Sequence, residues 1–539
     1  MKRSLRTVLL IANLFFAFAV TAQEKKVVYA CPMHPEVQME KPGTCPKCGM
    51  TLEKKTITIK QAKSQPQKQP SRPPSQQDKK EPMHMPATDT ANPMHHDHIQ
   101  MDMSMDTVEP KMQMGDTTKM ENMPMEGMDM NDPMRHHMSM SHAYSLNLPM
   151  GRNGSGTGWL PDASPMYGYM FHTPKWMYML HYNLFLRYNN QDFSGKGSRG
   201  DSKIDAPNFI MLMAQHQVGK NGLFHYNVMS SLDALTGSNG YPLLFQSGEA
   251  YKGKSIVDRQ HPHDLFSELS VSYSQALSPK ADVFVYVGYP GEPALGPVAF
   301  MHRPSAMDNP DAPITHHWVD ATHVTFGVAT IGVRYGQFKI EGSSFTGREP
   351  DETRYDFDKP RFDSWSGRLS YNPTENWALQ VSHGFIKSPE LLHLDEDVNR
   401  TTASAIYSKS FSSNSTFNAT ALWGMNKAKE HDGENAVLVE GEWRKNKLAF
   451  YSRYERVQKG IEELSLDEGI CGHDAVFSVN AFTVGFNYDL LKLGGSRLAG
   501  GGQWTLYHAD ERLNSLYGKN PMAVEVYLRL YPGMLKMNR

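Results

Sequence analysis

The chain has 539 residues, a formal net charge of −2, 39% hydrophobic residues, 42 Gly, 34 Pro, 4 Cys and 34 Met. So even a charge balance argues against nucleic acid as a partner, because a phosphate-backbone binder needs a concentrated excess of Lys and Arg. Beyond the amino terminus no apolar run is long enough to span a bilayer, which excludes a multi-helix membrane protein but not a transmembrane β-barrel, whose strands alternate apolar and polar.

Lys2, Arg3 and Arg6 precede an apolar stretch from Val8 to Val20, and Val20-Thr21-Ala22 offers a small-residue cleavage site. This is the pattern of a secretory signal over residues 1–22, so the mature chain is expected to be exported. No Cys lies near Ala22, which argues against a lipoprotein.

Residues 27–60 form a small Cys/His unit. Cys45-x-x-Cys48-Gly49 reads as a metal knuckle, and Cys31-x-x-His34 offers a second pair at the same spacing. Three thiolates and one imidazole suit tetrahedral Zn(II), while the thioethers of Met33 and Met50 suit Cu(I) or Ag(I). Two readings stay open: a structural zinc ribbon, and a site that receives or transfers one copper-type ion.

The run Tyr29-Ala30-Cys31-Pro32-Met33-His34-Pro35-Glu36-Val37, followed by Lys41-Pro42-Gly43-Thr44-Cys45-Pro46-Lys47-Cys48-Gly49-Met50, resembles a short heavy-metal-binding domain. That domain occurs in periplasmic adaptors of copper and silver efflux pumps and in some copper-transporting ATPases. The resemblance implies that Cys31, Met33, His34, Cys45, Cys48 and Met50 are the metal-associated positions. A metal unit ahead of an outer-membrane barrel is also similar in plan to copper-resistance outer-membrane proteins of the copper-resistance B type.

Residues 61–82, rich in Gln, Pro, Ser and Lys, read as an extended spacer. Residues 83–143 form a disordered tract of another kind, with about 16 Met and 7 His and almost no Leu, Ile, Val or aromatic residue. Its ligand candidates include Met83, His84, Met85, His95, His96, His98, Met101, Met103, Met105, His136 and His137. Met-x-Met spacing lets several thioethers wrap a soft ion without a fixed fold, and imidazoles add affinity for Cu(II), Ni(II) or Zn(II). Spacer and tract together have a flexible-chain span of about 50 Å.

From residue 144 to 539 the texture becomes aromatic-rich alternation. In Trp176–Asn189 the residues Trp176, Tyr178, Leu180, Tyr182, Leu184, Leu186 and Tyr188 share one face. Met177, Met179, His181, Asn183, Phe185, Arg187 and Asn189 share the other. Similar segments recur at 209–218, 223–233, 265–276, 281–289, 323–335, 337–346, 363–372, 377–386, 401–411, 415–425, 435–444, 448–457, 477–489, 496–509 and 522–530. The connections alternate long (190–205, 236–263, 290–322, 347–362, 387–400, 426–434, 458–475, 510–521) with short (219–222, 279–280, 336, 373–376, 412–414, 445–447, 491–495). An all-β, transmembrane, up-and-down antiparallel barrel of about 16 strands has this pattern, with long loops on one side and short turns on the other. The expected location is the outer membrane of a Gram-negative bacterium, with the amino-terminal arm in the periplasm. The last expected strand is followed by a short tail after Tyr531.

Within the barrel, His261 and His263 end one long connection, and Met301, His302, Met307, His316, His317 and His323 populate the third and longest. By analogy with porins that loop folds into the channel. Its histidines are either metal ligands or members of a hydrogen-bonded plug with Asp and Arg. Cys471 and His473 lie in another outer loop.

No nucleophile elbow, P-loop, dinucleotide fingerprint or H-E-x-x-H helix is present, so no enzyme activity is expected. The expected partners are metal ions, outer-membrane lipid and a periplasmic efflux-pump adaptor or metal chaperone. The expected role is heavy-metal, chiefly copper, binding and tolerance. The alternatives are a sequestering buffer on a plugged barrel and a porin-like barrel with a structural zinc site.

Overall fold

The computed structural model describes the strands 25–30, 38–39 and 53–58, and then residues 140–535 apart from 196, 430–431 and 468–474. The chain divides into two compact units, the first ending at Met130. In the first, Lys25–Ala30 is the centre of a three-stranded antiparallel sheet, flanked by Gln38–Met39 and Glu53–Thr58. Ala30 stands opposite both Gln38 and Glu53.

The second unit is a closed antiparallel barrel of 16 strands. They are Met177–Asn190 (β1), Asn208–Val218 (β2), Gly222–Ser230 (β3), Phe266–Ser278 (β4), Ala281–Gly288 (β5), Val328–Tyr335 (β6), Phe338–Phe345 (β7) and Ser364–Tyr371 (β8). Trp377–Ile386 (β9), Val398–Ser412 (β10), Ser415–Ala428 (β11), Glu434–Lys445 (β12), Leu448–Lys459 (β13), Phe477–Leu493 (β14), Ser496–Ala509 (β15) and Met522–Pro532 (β16) complete the ring. Neighbours in sequence pair throughout, and β16 closes onto β1 through Leu530 opposite Leu184. Two short strands, Tyr169–His172 and Ser202–Asp205, extend the pairing of β1 at either end.

The polarity is inverted relative to a water-soluble barrel. On β6 and β7, Ile331, Val333, Phe338 and Ile340 are exposed, whereas Thr330, Arg334, Lys339 and Glu341 are buried. An apolar exterior around a polar lumen is the arrangement that lipid requires. Aromatic rings gather near the short turns, with Phe338 stacked on Tyr371 at 4.2 Å and Trp377 at 4.8 Å from Tyr407. No helix among the described residues is long and apolar enough to cross a membrane.

Each segment expected from alternation contains one of these strands, with shifted ends. The segment expected from His323 starts at Val328, because Ala321–His323 is a turn of 3-10 helix inside the lumen. The long connection expected at 426–434 shrinks to 429–433, since β11 runs on to Ala428. β16 ends at Pro532, and the tail remains attached through a bridge between Tyr167 and Met534.

Two segments fill the lumen. The first is 140–168, where Lys339 binds the Thr157 carbonyl and Asn372 donates to Leu160 O at 2.9 Å. Met140 and His142 are buried there, so the last residues of the expected disordered tract belong to the folded unit. The second is the long connection 289–327, fixed to the wall by buried ion pairs. Arg303 bridges Asp320 and Glu440 at 2.8 Å each, and Asp308 binds Arg444 and Arg529.

Candidate metal centre

The metal candidates of the amino-terminal arm, from Cys31 to His137, lie outside the described residues, as do Cys471 and His473. The ends of the connections that carry Cys31, Met33 and His34, and then Cys45, Cys48 and Met50, are described. The first connection follows Ala30 and precedes Gln38, the second follows Met39 and precedes Glu53, and Ala30, Gln38 and Glu53 share one end of the sheet.

In the barrel, the sequence-predicted histidines converge. A one-turn helix, His316–Val319, carries His316 and His317 inside the lumen. Arg400 and Asn426 of the wall donate to its His317 carbonyl at 2.6 and 3.0 Å. His261 and His263 arrive from the end of the hairpin formed by Tyr241–Tyr251 and Lys254–Gln260. Gly248 of that hairpin has φ +117°, and a Cβ there would overlap the His317 ring, so the hairpin and helix meet closely only because this position is glycine.

His261, His316 and His317 each offer a ring nitrogen within 4.8 Å of the others, and all three are buried. Their second nitrogens face carboxylates: His316 Nδ1 is 2.5 Å from Asp320 Oδ1, and His317 Nδ1 is 3.2 Å from Glu349 Oε1. His261 Nδ1 lies 3.1 Å from Glu249 Oε1 but outside hydrogen-bonding geometry, so it is near a carboxylate without being oriented by one. His316 Nε2 and His317 Nε2 are buried without a hydrogen-bond partner. An imidazole oriented by a carboxylate at one nitrogen and bare at the other is a metal ligand's usual setting. Two more histidines stand beside the triad, His263 and His323, whose rings are 5.2 Å apart.

Burial, reinforced by the neighbouring histidines, pushes the imidazoles of His261 and His323 well below the ordinary histidine range. It also lowers His316, against the opposing pull of Asp320. Burial pushes Glu249 up to about 8, partly offset by Arg354. Neutral imidazoles in a carboxylate-lined pocket suit borderline divalent ions such as Cu(II), Zn(II) or Ni(II). Among the long connections a cavity of about 350 Å³ reaches His317 and is lined by acidic residues, among them Glu349, Glu390, Glu434 and Glu463.

His302 stands apart from the triad. Its ring lies 6.1 Å from His181 and 5.2 Å from Phe209, and burial lowers its pKa to about 3. Sequence reasoning did not single out Glu249, Asp320 or Glu349 as partners. The spacing of four between His316 and Asp320 puts both on one helical face and could have found that pair. Glu249 and Glu349 come from separate connections and carry no such signal.

Residues 28–55 match the heavy metal binding domain family. The match spans the six positions from Cys31 to Met50 that the sequence leads one to expect as ligands. A copper-exporting P-type ATPase of Legionella pneumophila is 48% identical over 46 residues, 8% of this chain and 6% of that protein. A copper-transporting P-type ATPase of Rhizobium leguminosarum is 66% identical over 29 residues, 5% of this chain and 3% of that protein. The chain therefore spans only a small fraction of the length of these relatives. Among solved structures, Salmonella typhi OmpF in complex with daunomycin aligns at TM-score 0.43 and 9% identity, over 67% of this chain and 100% of that one. An anion-selective porin from Comamonas acidovorans aligns at TM-score 0.40 and 11% identity, over 66% of this chain and 99% of that one.

Proposed function

We propose that this chain is a non-catalytic outer-membrane protein of heavy-metal tolerance. Its exported amino-terminal arm captures copper or a related soft ion in the periplasm, and its barrel serves as anchor or conduit. The observation that carries the reading is the joining of a heavy metal binding domain to a barrel whose lumen gathers five histidines. Transfer would proceed by ligand exchange, from Met-x-Met sites of the tract to the Cys/His unit, and on to a pump adaptor or to the barrel. Short turns would face the periplasm and long loops the exterior, as in other barrels of this type.

The filled lumen favours a second reading, a sequestering buffer tethered to a plugged barrel. Metal flux into liposomes, measured with the full chain and with a deletion of residues 27–139, separates the two. The deletion stops at 139 because Met140 and His142 are buried in the barrel unit. Flux that depends on the arm supports transport; a barrel that never conducts metal leaves only the buffer. A purified arm that takes up one zinc and ignores excess Cu(I) overturns the copper reading altogether.

A further inference from the structure

The lumen contains a second cluster of possible ligands, chemically unlike the histidine triad. It begins in the register of the first three strands. Met179 on β1 stands directly opposite Met213 on β2, and His181 stands opposite Met211, which in turn stands opposite Met229 on β3. All five side chains face inward and are buried. Directly opposed residues on one face have Cβ atoms roughly 4.5–5.5 Å apart, so their thioether and imidazole ends reach a common point.

A cavity of about 50 Å³ lies against this patch, lined by Met179, His181, Met211 and Met213 and covered by His302 and Met307 of the inward loop. It has room for an ion and its donors but not for an organic ligand. His181 Nδ1 donates to Tyr167 O at 2.6 Å, which leaves Nε2 with its lone pair. The His302 ring makes no hydrogen bond with any described residue. No Asp or Glu lines the cavity.

Ordinary packing does not account for the composition. Seven of the ten buried residues in this apolar cluster are methionine, whereas the largest cluster of the lumen is built from Leu, Val, Ile, aromatic and Ala residues without one. Methionine is a flexible filler elsewhere, but its concentration here coincides with two imidazoles that have free nitrogens. Neutral thioethers and imidazoles without a carboxylate favour soft ions of low charge over divalent ions, which would be buried uncompensated.

We propose that this chamber, formed by Met179, His181, Met211, Met213, His302 and Met307, binds one soft monovalent cation of the Cu(I) or Ag(I) class. A second cavity of about 60 Å³ is lined by His261, His263 and the same Met307. The soft chamber and the histidine cluster therefore share a wall.

The test is an Ag(I) titration of the full chain in detergent, against the variant Met179→Leu, Met211→Leu and Met213→Leu. Leucine keeps the volume and apolar character, and heat-modifiable migration on a gel reports whether the barrel has closed. The expected result is a closed barrel that binds one Ag(I) fewer than the parent. Equivalents bound by the amino-terminal arm are common to both proteins and cancel, so the outcome is independent of whether that arm handles copper. Undiminished Ag(I) stoichiometry and affinity in the variant overturn the proposal. Anomalous diffraction from Ag(I)-soaked crystals of the unsubstituted protein is a second measurement, needing no variant. Density between β1 and β2 supports the site, and density confined to other parts of the barrel overturns it.

Discussion

His263 and His323 meet through their Nε2 atoms, 3.0 Å apart. His263 Nδ1 faces the Asp233 carboxylate at 2.8 Å and His323 Nδ1 faces the Asp320 carbonyl at 2.9 Å. Both partners are acceptors, so each Nδ1 carries a proton and a neutral ring is left with a bare Nε2. Two lone pairs at that distance repel unless a cation, either a proton or a metal ion, lies between them. Burial makes the proton unfavourable at His323. A divalent ion held by both Nε2 atoms would remove that repulsion. Titration of Zn(II) or Cu(II) into the full chain should detect a site lost in His263→Phe plus His323→Phe. An unaltered isotherm in that variant excludes a metal at the pair.

Glu349 orients His317 without itself offering the ligand nitrogen. Glu349→Gln should leave the fold intact and weaken divalent-metal affinity at the triad by about 10–100-fold, the usual effect of removing a partner behind a metal-bound imidazole. Competition with a chromophoric chelator measures it. Unchanged affinity would show that His317 is not a ligand.

Arg303 pairs with Asp320 inside the inward loop and ties that loop to the barrel wall through Glu440. Arg303→Ala takes one partner from each of these two buried carboxylates, but Glu440 keeps Arg453 and Asp320 keeps His316. The expected cost is therefore below about 3–5 kcal/mol, that of leaving a buried charge wholly unpaired. The denaturation temperature should fall, and single-channel conductance should rise from a low parental level as the loop loosens. Equal conductance in both proteins would mean that other contacts suffice to seat the loop.

Acid should erode the contribution of the buried histidines to the stability of the barrel unit. Burial lowers the imidazoles of His261, His302, His316 and His323, while the unfolded chain titrates near the ordinary value of about 6.5. Below that pH the unfolded chain binds protons that the folded one does not, so stability present at pH 8 declines as pH falls. Buried carboxylates held above their ordinary range, such as Glu249 at about 8, act in the opposite sense, so the histidine share is read by comparison. The change in thermal midpoint from pH 7 to pH 5 should be less negative in His302→Phe than in the parent, and an equal change contradicts the assignment.

Cys45→Ser should strip the ion from the amino-terminal unit while leaving metal bound within the barrel. Metal analysis of the intact protein and of the released arm, after proteolysis in the linker, distinguishes the two locations. Full affinity in the released variant arm would remove Cys45 from the ligand set.

Strand positions were legible because lipid and lumen impose opposite demands on alternate residues, as in Met177 to Asn190. Strand ends were less so: nothing in the alternation says that His323 leaves the wall for the lumen. Residues 140–168 escaped because a segment packed inside a barrel follows neither period. The inward methionines were visible on one face of β1, but methionine is neither polar nor diagnostic. Only the register that sets Met179 against Met213 reveals a chamber. The triad was partly readable as a run of histidines, whereas Glu249 and Glu349 come from distant connections that only the fold unites.

The seam between the first and last strands has a bearing on assembly order. Arg187 of β1 binds Asp311 and Arg529 of β16 binds Asp308, so both edges of the seam grip the inward loop. Joining strands so far apart in sequence carries the largest loop-closure cost in the barrel and belongs late in folding. The loop must already be tucked inside when the edges meet. Until then its histidines face open solvent, and afterwards the triad is approached through the cavity that reaches His317. Ion entry after closure would therefore run through that acidic cavity, and the barrel would be loaded from the side on which the cavity opens.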